Sequence, residues 1–296
     1  MLGTIAVVGS GIGALDLAEE LGGSGDVGRV VVYGRQKTGP AHTVFARDLA
    51  EYVFGIQPLA SDTSAVLIAV PDEAVPEVGL AIAALGPAPA GCAAFHLSGV
   101  LPTEALGALH GPGYALGAFH PLGASSRPSE GSIRVGGGYV AVTGSPAAVS
   151  MARRLTDALD AEVLEVPAAR RPLVHAAAVL AGAYMRPLLS LSSRLMERAG
   201  VASGEAMPAL LSLARSALDR VEEGRTSSTP ANPIEDGDVE TLALHLRALD
   251  PDDQKLYALF AREIARLEEH RLEPETLEAI HDVLAKYTAL EPSSII

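Results

Sequence analysis

The sequence has few of the residues that mark secreted, metal-binding or nucleic-acid-binding proteins. It contains one cysteine and no tryptophan among its 296 residues. A lone cysteine forms no intrachain disulfide, so we expect Cys92 to pack in a core strand and the chain to lie in the cytoplasm, with no metal site. Acidic residues outnumber basic ones, 36 to 22. This argues against a nucleic-acid partner, because phosphate binding needs a basic face.

Long uninterrupted apolar runs are also absent from the sequence. No run reaches the roughly 18 to 20 residues that a membrane-spanning helix requires. The chain passes from Met1 into a strand pattern with no basic stretch before it, so neither a signal peptide nor a membrane partner is expected. The length and the hydrophobic share of 48% suit two globular domains, each with its own core.

Apolar runs and helical spacing alternate along the first half of the chain. Runs rich in Val, Ile, Leu and Ala without clean alternation indicate parallel strands that are buried on both faces. The predicted strands are 4–8, 29–33, 65–70, 92–97, 114–119, 139–143 and 162–166, and the predicted helices are 15–21, 41–53, 73–85 and 146–159. The pattern predicts an α/β domain of the Rossmann type over residues 1–166, with a mostly parallel sheet and helices on both faces.

After residue 166 the sequence shows no further strand pattern, and the apolar residues recur with helical spacing. The predicted helices are 168–200, 204–223, 239–249, 252–269 and 274–290. They predict an all-α domain over residues 167–296. The segment 174–196 is apolar on most faces, so we expect a second copy to cover it in a homodimer. The loop 224–238 is long enough to indicate either function or disorder, and we favour function.

A glycine turn follows the first predicted strand. Gly9-Ser10-Gly11-Ile12-Gly13-Ala14 fits the pattern G-x-G-x-x-A between a strand and an amphipathic helix. In that setting Gly9 makes the tight turn, Gly11 lets the backbone approach a pyrophosphate, and Ala14 lets the helix pack on the strand. The helix N-terminus offers free N–H groups for the phosphates. The motif therefore predicts dinucleotide binding.

The end of the second predicted strand indicates which dinucleotide. Tyr33-Gly34-Arg35-Gln36-Lys37 lies about 20 residues beyond the motif, where an NAD enzyme usually has an Asp or Glu for the ribose 2′-hydroxyl. This segment has no carboxylate. Arg35 and Lys37 offer positive charge instead, and a guanidinium can bind a 2′-phosphate. The sequence favours NADP(H), and the alternative is that Arg35 is only a solvated loop charge.

Polar side chains at three other places suit the chemistry. In such sheets ligands bind beyond the carboxyl ends of the strands, which points to Ala69-Val70-Pro71-Asp72, to Ser98 and to His120. His175 lies near the start of the first helix of the second domain. Histidine titrates near neutral pH, so His120 and His175 are candidate proton donors, and Ser98 could orient a substrate beside the cofactor. Either histidine could instead be a packed or surface imidazole, and Asp72 is expected to be a helix N-cap rather than a catalytic acid.

Five short motifs carry a family resemblance that spans almost the whole chain. G-S-G-I-G-A, A-V-P-D, H-L-S-G, F-H-P-L and H-A-A-A-V-L-A-G-A-Y resemble Rossmann-like oxidoreductases with a helical C-terminal domain of unknown function. These belong to the 6-phosphogluconate dehydrogenase-like superfamily, with pyrroline-5-carboxylate reductase, ketopantoate reductase and deazaflavin-dependent NADP reductases as cousins. The resemblance implies a pyrophosphate site at Gly9, Gly11 and Ala14, a 2′-phosphate site at Arg35, a dinucleotide path along 69–72, and a substrate cleft faced by Ser98, His120 and His175.

Three departures from the pattern bear on activity. Ala183 stands where many relatives have Asn, and Asp236 stands where they have Arg in the segment 229–238. The superfamily's Lys and Asn pair is missing after His175, so a relay copied from the hydroxyacid dehydrogenases is not supported.

Two functions follow as the main alternatives. One is an NADP(H)-dependent oxidoreductase acting on a small carbonyl, imine or hydroxy compound in the cleft between the domains. The other is a non-catalytic dinucleotide-binding or sensor protein that has lost turnover. A transferase that uses the same fold for another nucleotide is a third, minor reading.

Overall fold

The first half of the chain forms one large sheet. The computed structural model describes residues 1–122, 135–224 and 232–288. The strands are β1 Leu2–Val8, β2 Val27–Gly34, β3 Glu51–Phe54, β4 Thr63–Ile68, β5 Ala93–His96, β6 Ala115–Pro121, β7 Tyr139–Gly144 and β8 Glu162–Glu165. They lie in the order β3-β2-β1-β4-β5-β6-β7-β8. The first six are parallel, and β7 runs antiparallel to β6. The predicted α/β class is therefore confirmed.

Helices cover the sheet and fill the second half of the chain. They are α1 Ile12–Gly23, α2 Thr43–Ala46, α3 Val75–Ala83, α4 Pro146–Ala158, α5 Arg171–Ala181, α6 Met185–Arg198, α7 Ser203–Glu222, α8 Val239–Ala248, α9 Pro251–Glu268 and α10 Pro274–Thr288. The chain divides into two compact units, Met1–Pro187 and Leu188–Ile296. The domain boundary predicted at 166/167 falls just after β8, whereas the first unit also includes α5.

Alternate residues of the central strands belong to different cores. In β1, Ile5 and Val7 pack with one cluster, whereas Ala6 and Val8 pack with the other. This is the burial on both faces that the apolar runs predict. Cys92 lies in the second cluster and is 1% exposed, so its predicted role in core packing is confirmed. Burial raises the pKa of its thiol to about 12.

The region predicted as the helix 41–53 has a different structure. It forms the short helix α2 and then the edge strand β3, and Asp48 between them has a positive φ of 54°. That conformation ends the helix. A strand of four residues is too short to show the two-residue alternation of a strand. Its apolar positions therefore fit a continuation of the helical spacing, and the prediction of a helix there is wrong.

The helix predicted over 168–200 is interrupted. The segment Gly182–Tyr184 separates α5 from α6, with Gly182 in the C-cap position of α5. In the second unit, Ile234, Leu242, Leu246, Ile280 and Leu284 form the centre of a helical core. The end of the last predicted helix, 289–290, and residues 225–231 of the long loop lie outside the described residues.

One segment passes the length and hydropathy test for a membrane span. Residues Ala168–Arg198 contain a window with mean hydropathy 1.3, because alanines and leucines outweigh the few charges. This corrects the expectation that no stretch is apolar enough. One such helix in the described ranges is a weak indication of a span, and this one is broken at Gly182–Tyr184.

Candidate functional site

The glycine turn between β1 and α1 has the geometry that its residues predict. Gly9 has φ +130°, and a Cβ there would lie 2.1 Å from the carbonyl oxygen of Ala69, so only glycine fits. Gly11 is the opposite case, because its missing side chain faces open space with no atom within 4 Å. Ala14 is 5% exposed and packs in the core of the sheet. The three small residues thus differ in role: turn, open approach and packing.

The start of α1 can hold an anion. Gly11 is its N-cap residue, and no side chain caps the helix. The first N–H groups of a helix have no intrahelical acceptor and carry partial positive charge. Ser10, Ile12 and Gly13 lie in this exposed or half-exposed turn, so their backbone can reach a phosphate.

Tyr52 holds the loop that presents the predicted 2′-phosphate residues. Its hydroxyl donates a hydrogen bond of 2.7 Å to the carbonyl of Gln36. Its ring lies so close to Gly34 that a Cβ at that position would be 2.4 Å from the hydroxyl oxygen. Arg35 and Lys37 are exposed, and neither has an ion-pair partner among the described residues. Tyr52 lies on β3, so reading that strand as a helix concealed its position.

The segment after β4 lies against the glycine turn. Ala69 donates its N–H to the carbonyl of Val8 at 2.8 Å, and its own carbonyl lies beneath Gly9. Val70 and Pro71 continue along this edge. Asp72 is not the helix N-cap that the sequence predicts, since Pro71 has that position in the turn Asp72–Ala74. The Asp72 carboxylate instead accepts a hydrogen bond from the hydroxyl of Ser98.

Ser98 ties the ends of β4 and β5 together. Its hydroxyl donates to Asp72 Oδ2 at 2.8 Å and accepts from the N–H groups of Val100 and Leu101 at 3.2 and 3.0 Å. The hydroxyl proton is therefore used within the protein. Ser98 fixes the turn 98–101, and this differs from the free hydroxyl expected to orient a substrate.

The two candidate histidines meet although they are 55 residues apart. His175 Nδ1 lies 3.3 Å from His120 Nε2, and His120 Nδ1 lies 3.0 Å from the carbonyl oxygen of Leu97. His120 belongs to β6 itself, because that strand extends to Pro121. Gly99 makes the approach possible, since a Cβ there would lie 2.3 Å from His175 and 2.9 Å from His120.

The hydrogen bonds give this pair a direction. A carbonyl oxygen only accepts, so His120 must carry its proton on Nδ1. In neutral His120 the Nε2 atom is then an acceptor, and His175 must donate from Nδ1. The pKa of His120 is lowered overall. Burial is the largest cause and lowers it, the hydrogen bond to the Leu97 carbonyl raises it, and the nearby His175 lowers it. The lowered pKa favours neutral His120 at pH 7, and Nε2 of His175 has no hydrogen-bond partner among the described residues.

Two further buried side chains adjoin this pair and were missed in the sequence. Arg171 is 2% exposed, and its Nη2 donates to the carbonyl of Ser98. His96 is fully buried, and burial followed by the charge of Arg171 lowers its pKa to about 4. Arg171 precedes His175 by one helical turn, which places both on one face of α5. That spacing was the available signal.

A separate polar cluster lies beside α1. Oxygen and nitrogen atoms of Asp16, Glu19 and His42 lie within 4.8 Å of one another. Arg47 already binds Glu19 at 2.8 Å, and His42 lies 3.3 Å from Asp16. The cluster therefore joins α1 to α2 through protein partners. It lies beside an open depression of about 900 Å³ that is lined by Ile12 and Asp16 of α1 and by 40–43, 45 and 46.

The second unit contains the segment that resembles a family loop. Within its described part, Asn232 accepts from the N–H of Ile234 at 3.0 Å, and Ile234 is 1% exposed in the helical core. Asp238 caps α8 by accepting from the N–H of Thr241 at 2.9 Å. These contacts are structural, and a functional role for 229–238 stays a prediction.

Comparisons with known proteins agree with the resemblance. Residues 138–264 match the family model of DUF2520, a domain of unknown function. This match covers less than half of the chain. No curated protein matches the sequence.

Three solved structures share the fold over most of both chains. A protein described as an NADP oxidoreductase from Bacteroides fragilis has TM-score 0.62 and 22% identity, over 88% of this chain and 96% of that one. Pyrroline carboxylate reductase from Plasmodium falciparum, with NADP bound, has TM-score 0.57 and 13% identity, over 97% of each chain. An imine reductase variant from Myxococcus stipitatus with NAD⁺ has TM-score 0.53 and 15% identity, over 97% of this chain and 94% of that one. At these identities the likeness shows a shared fold, and with the DUF2520 match it confirms the resemblance drawn from the motifs.

Proposed function

We propose that the protein is an NADP(H)-dependent oxidoreductase that reduces a small carbonyl or imine compound, or oxidises the corresponding hydroxy compound or amine. The observation that carries this proposal is the directed chain from the Leu97 carbonyl through His120 to His175. It lies at the same carboxyl edge of the parallel strands as the glycine turn, where ligands of doubly wound sheets bind.

The residues around the glycine turn suit a nicotinamide dinucleotide. The open face of Gly11 and the uncapped start of α1 would bind the pyrophosphate. Arg35 and Lys37, exposed on the loop that Tyr52 holds, would bind the 2′-phosphate. NADP in the Plasmodium neighbour and NAD⁺ in the Myxococcus neighbour support this cofactor class.

The histidine pair would supply the proton. NADP(H), when bound, would supply hydride-transfer chemistry, and the substrate's oxygen or nitrogen would then need a proton. His175 would donate this proton from Nε2. Its Nδ1–H would stay hydrogen-bonded to Nε2 of His120. His120 acts through His175: as a neutral acceptor held by the Leu97 carbonyl, it stabilises the cationic form that donates. We therefore assign His175 as the catalytic residue and His120 as a positioning residue.

A second candidate is a dinucleotide-binding or sensor protein without turnover. One observation that favours it is that the Ser98 hydroxyl already donates its proton to Asp72. Ala183 and the missing Lys and Asn pair favour it as well. A sensor of this kind would bind NADPH as tightly as the proposed enzyme. The two functions differ only in whether a substrate is turned over.

We also propose that the protein forms a homodimer in the cytoplasm. On and just after α5, Leu173, Leu180 and Tyr184 are 65%, 62% and 57% exposed, and such apolar surface favours a second copy. Light scattering coupled to size-exclusion chromatography should give twice the chain mass, and the mass of one chain at micromolar concentration would refute the dimer.

The enzyme proposal is tested by hydride transfer. NADPH deuterated at C4 is incubated with the protein and a panel of aldehydes, ketones and imines, and the products are analysed for deuterium. We expect label in at least one product, and His175→Gln should lower kcat about 10²- to 10⁴-fold with an unchanged Kd for NADPH. The matched control is His281→Gln on α10, an exposed position where turnover should not change. NADPH binding with no labelled product would favour the sensor.

A further inference from the structure

Arg171 is a buried cation whose hydrogen-bonding capacity is mostly unused. It is the only arginine or lysine in the described ranges that is buried, at 2% exposure. Nη2 donates to the Ser98 carbonyl, whereas Nε and Nη1 have no partner and are closed to solvent. Buried N–H groups without acceptors cost free energy, and the cost is greater for a charged group.

Among the described residues, no acidic side chain compensates this charge. Arg171 forms no ion pair in the part of the chain that the structure describes, and burial lowers its pKa. A guanidinium nevertheless stays protonated, so the free-energy cost of burying its charge is not removed by deprotonation. Because no described residue offers an acceptor to Nε and Nη1 or a negative charge to the guanidinium, an anionic ligand would complement this group.

The position of Arg171 places such an anion beside the proton donor. Arg171 and His175 are four residues apart on α5, which brings their Cβ atoms to about 6 Å from each other. Both side chains reach the same turn, because Arg171 binds the Ser98 carbonyl and His175 contacts Gly99. An anionic group at Arg171 would be only a few bonds from an atom that His175 protonates.

We propose that Arg171 binds a carboxylate of the substrate. The substrate is then a carbonyl or imine compound with a carboxylate a few bonds from the reducible carbon, and this inference rests on the proposed function. A single negative charge fits better than a phosphate dianion, because one guanidinium supplies one positive charge. The Asp72 carboxylate, close enough to raise the pKa of His96 and His120, would repel a second negative charge.

The site is tested first by binding, without any need for turnover. The Nε–H signal of Arg171 is followed by ¹⁵N NMR in the wild-type protein, with and without NADPH, and is assigned by its loss in Arg171→Lys. The probes are pyruvate, its amide and inorganic phosphate. We expect a saturable shift with pyruvate and none with the amide. No shift with pyruvate, an equal shift with the amide, or a shift with phosphate alone would overturn the carboxylate site.

Kinetics then separates this proposal from the proposed function. For matched acid and amide substrates, the wild type should prefer the acid at least tenfold in kcat/KM. Arg171→Met should reduce that preference to within twofold, and Arg170→Met, an exposed neighbour, should keep it. A tenfold weaker Kd for NADPH in Arg171→Met, with the acid preference intact, would assign the anion to the cofactor and overturn the proposal. Failure of the wild type to bind NADPH would refute the proposed cofactor, whereas the pyruvate shift would still report on Arg171.

Discussion

The glycine turn and the histidine cluster are two ends of one candidate site, and they are built in opposite ways. The turn consists of six consecutive residues whose backbone N–H groups would bind the phosphates. Its centre at Gly11 is open to solvent. The cluster joins β5, β6 and α5 through side chains such as His120 and His175, and it buries an unpaired guanidinium. A site made by backbone is visible in a motif, whereas a site made by tertiary contact is visible only in the fold.

The largest effect of a single substitution is expected inside the glycine turn. Gly9→Ala places a methyl group against the Ala69 carbonyl at a positive φ, which should cost about 2 to 4 kcal/mol of unfolding free energy. NADPH binding should be lost with it. Urea denaturation and NADPH fluorescence titration measure the two effects.

Gly11→Ala is the matched control for the fold. Its methyl group meets no protein atom, so the unfolding free energy should change by less than about 1 kcal/mol. The methyl group does point toward the proposed pyrophosphate, and we expect at least tenfold weaker NADPH binding. Unchanged binding in Gly11→Ala would remove the phosphate from this turn.

The histidine end should be sensitive to acid because of His96. Its folded pKa of about 4 lies below the ordinary value of 6.5. The unfolded chain therefore takes up this proton first, and stability that is complete above pH 6.5 is lost as the pH falls toward 4. The loss from this group is on the order of 3 kcal/mol. Urea denaturation at pH 7, 5.5 and 4.5 should show a shallower pH dependence in His96→Leu than in the wild type.

An exposed histidine provides the control for this acid effect. His110→Leu should keep the wild-type pH dependence, because His110 lies at the surface. Equal slopes in His96→Leu and the wild type would mean that burial of His96 does not affect acid stability.

We expect the choice between NADPH and NADH to depend on the loop after β2. Arg35→Ser should weaken NADPH binding about 10- to 100-fold, a cost of about 1.4 to 2.7 kcal/mol, and leave NADH binding nearly unchanged. Lys286→Ser on α10 removes an exposed charge elsewhere and should alter neither. Equal weakening of both cofactors in Arg35→Ser would refute the 2′-phosphate contact.

Tyr52 should have the smallest effect, because it acts only by holding this loop. Tyr52→Phe removes the hydrogen bond to the Gln36 carbonyl, which is worth about 0.5 to 1.5 kcal/mol. We expect a twofold to tenfold weaker Kd for NADPH, measured by fluorescence titration, with NADH affected less. A Kd equal to that of the wild type would show that the loop keeps its position without this bond.

The sequence predicted what is local and missed what depends on partners. Strands such as β1 and β4 are apolar on both faces, so composition alone reveals them, and the glycine turn has a fixed spacing. The strand β3 was missed because its four residues are stabilised by pairing with β2. His120 and His175 were named from strand and helix positions, but their contact depends on Gly99, 21 residues before one and 76 before the other. The four-residue spacing of Arg171 and His175 is a local signal that both lie on one face of α5, but the burial of Arg171 against the Ser98 carbonyl depends on tertiary contact.

We expect the glycine turn and the basic loop with Arg35 and Lys37 to bind NADPH. Titration of NADPH and NADH into the wild-type protein, followed by nicotinamide fluorescence, tests it most directly. We expect saturable binding of both, with NADPH at least tenfold tighter and with that preference removed in Arg35→Ser. The absence of a fluorescence change with either dinucleotide at high protein concentration would contradict the claim.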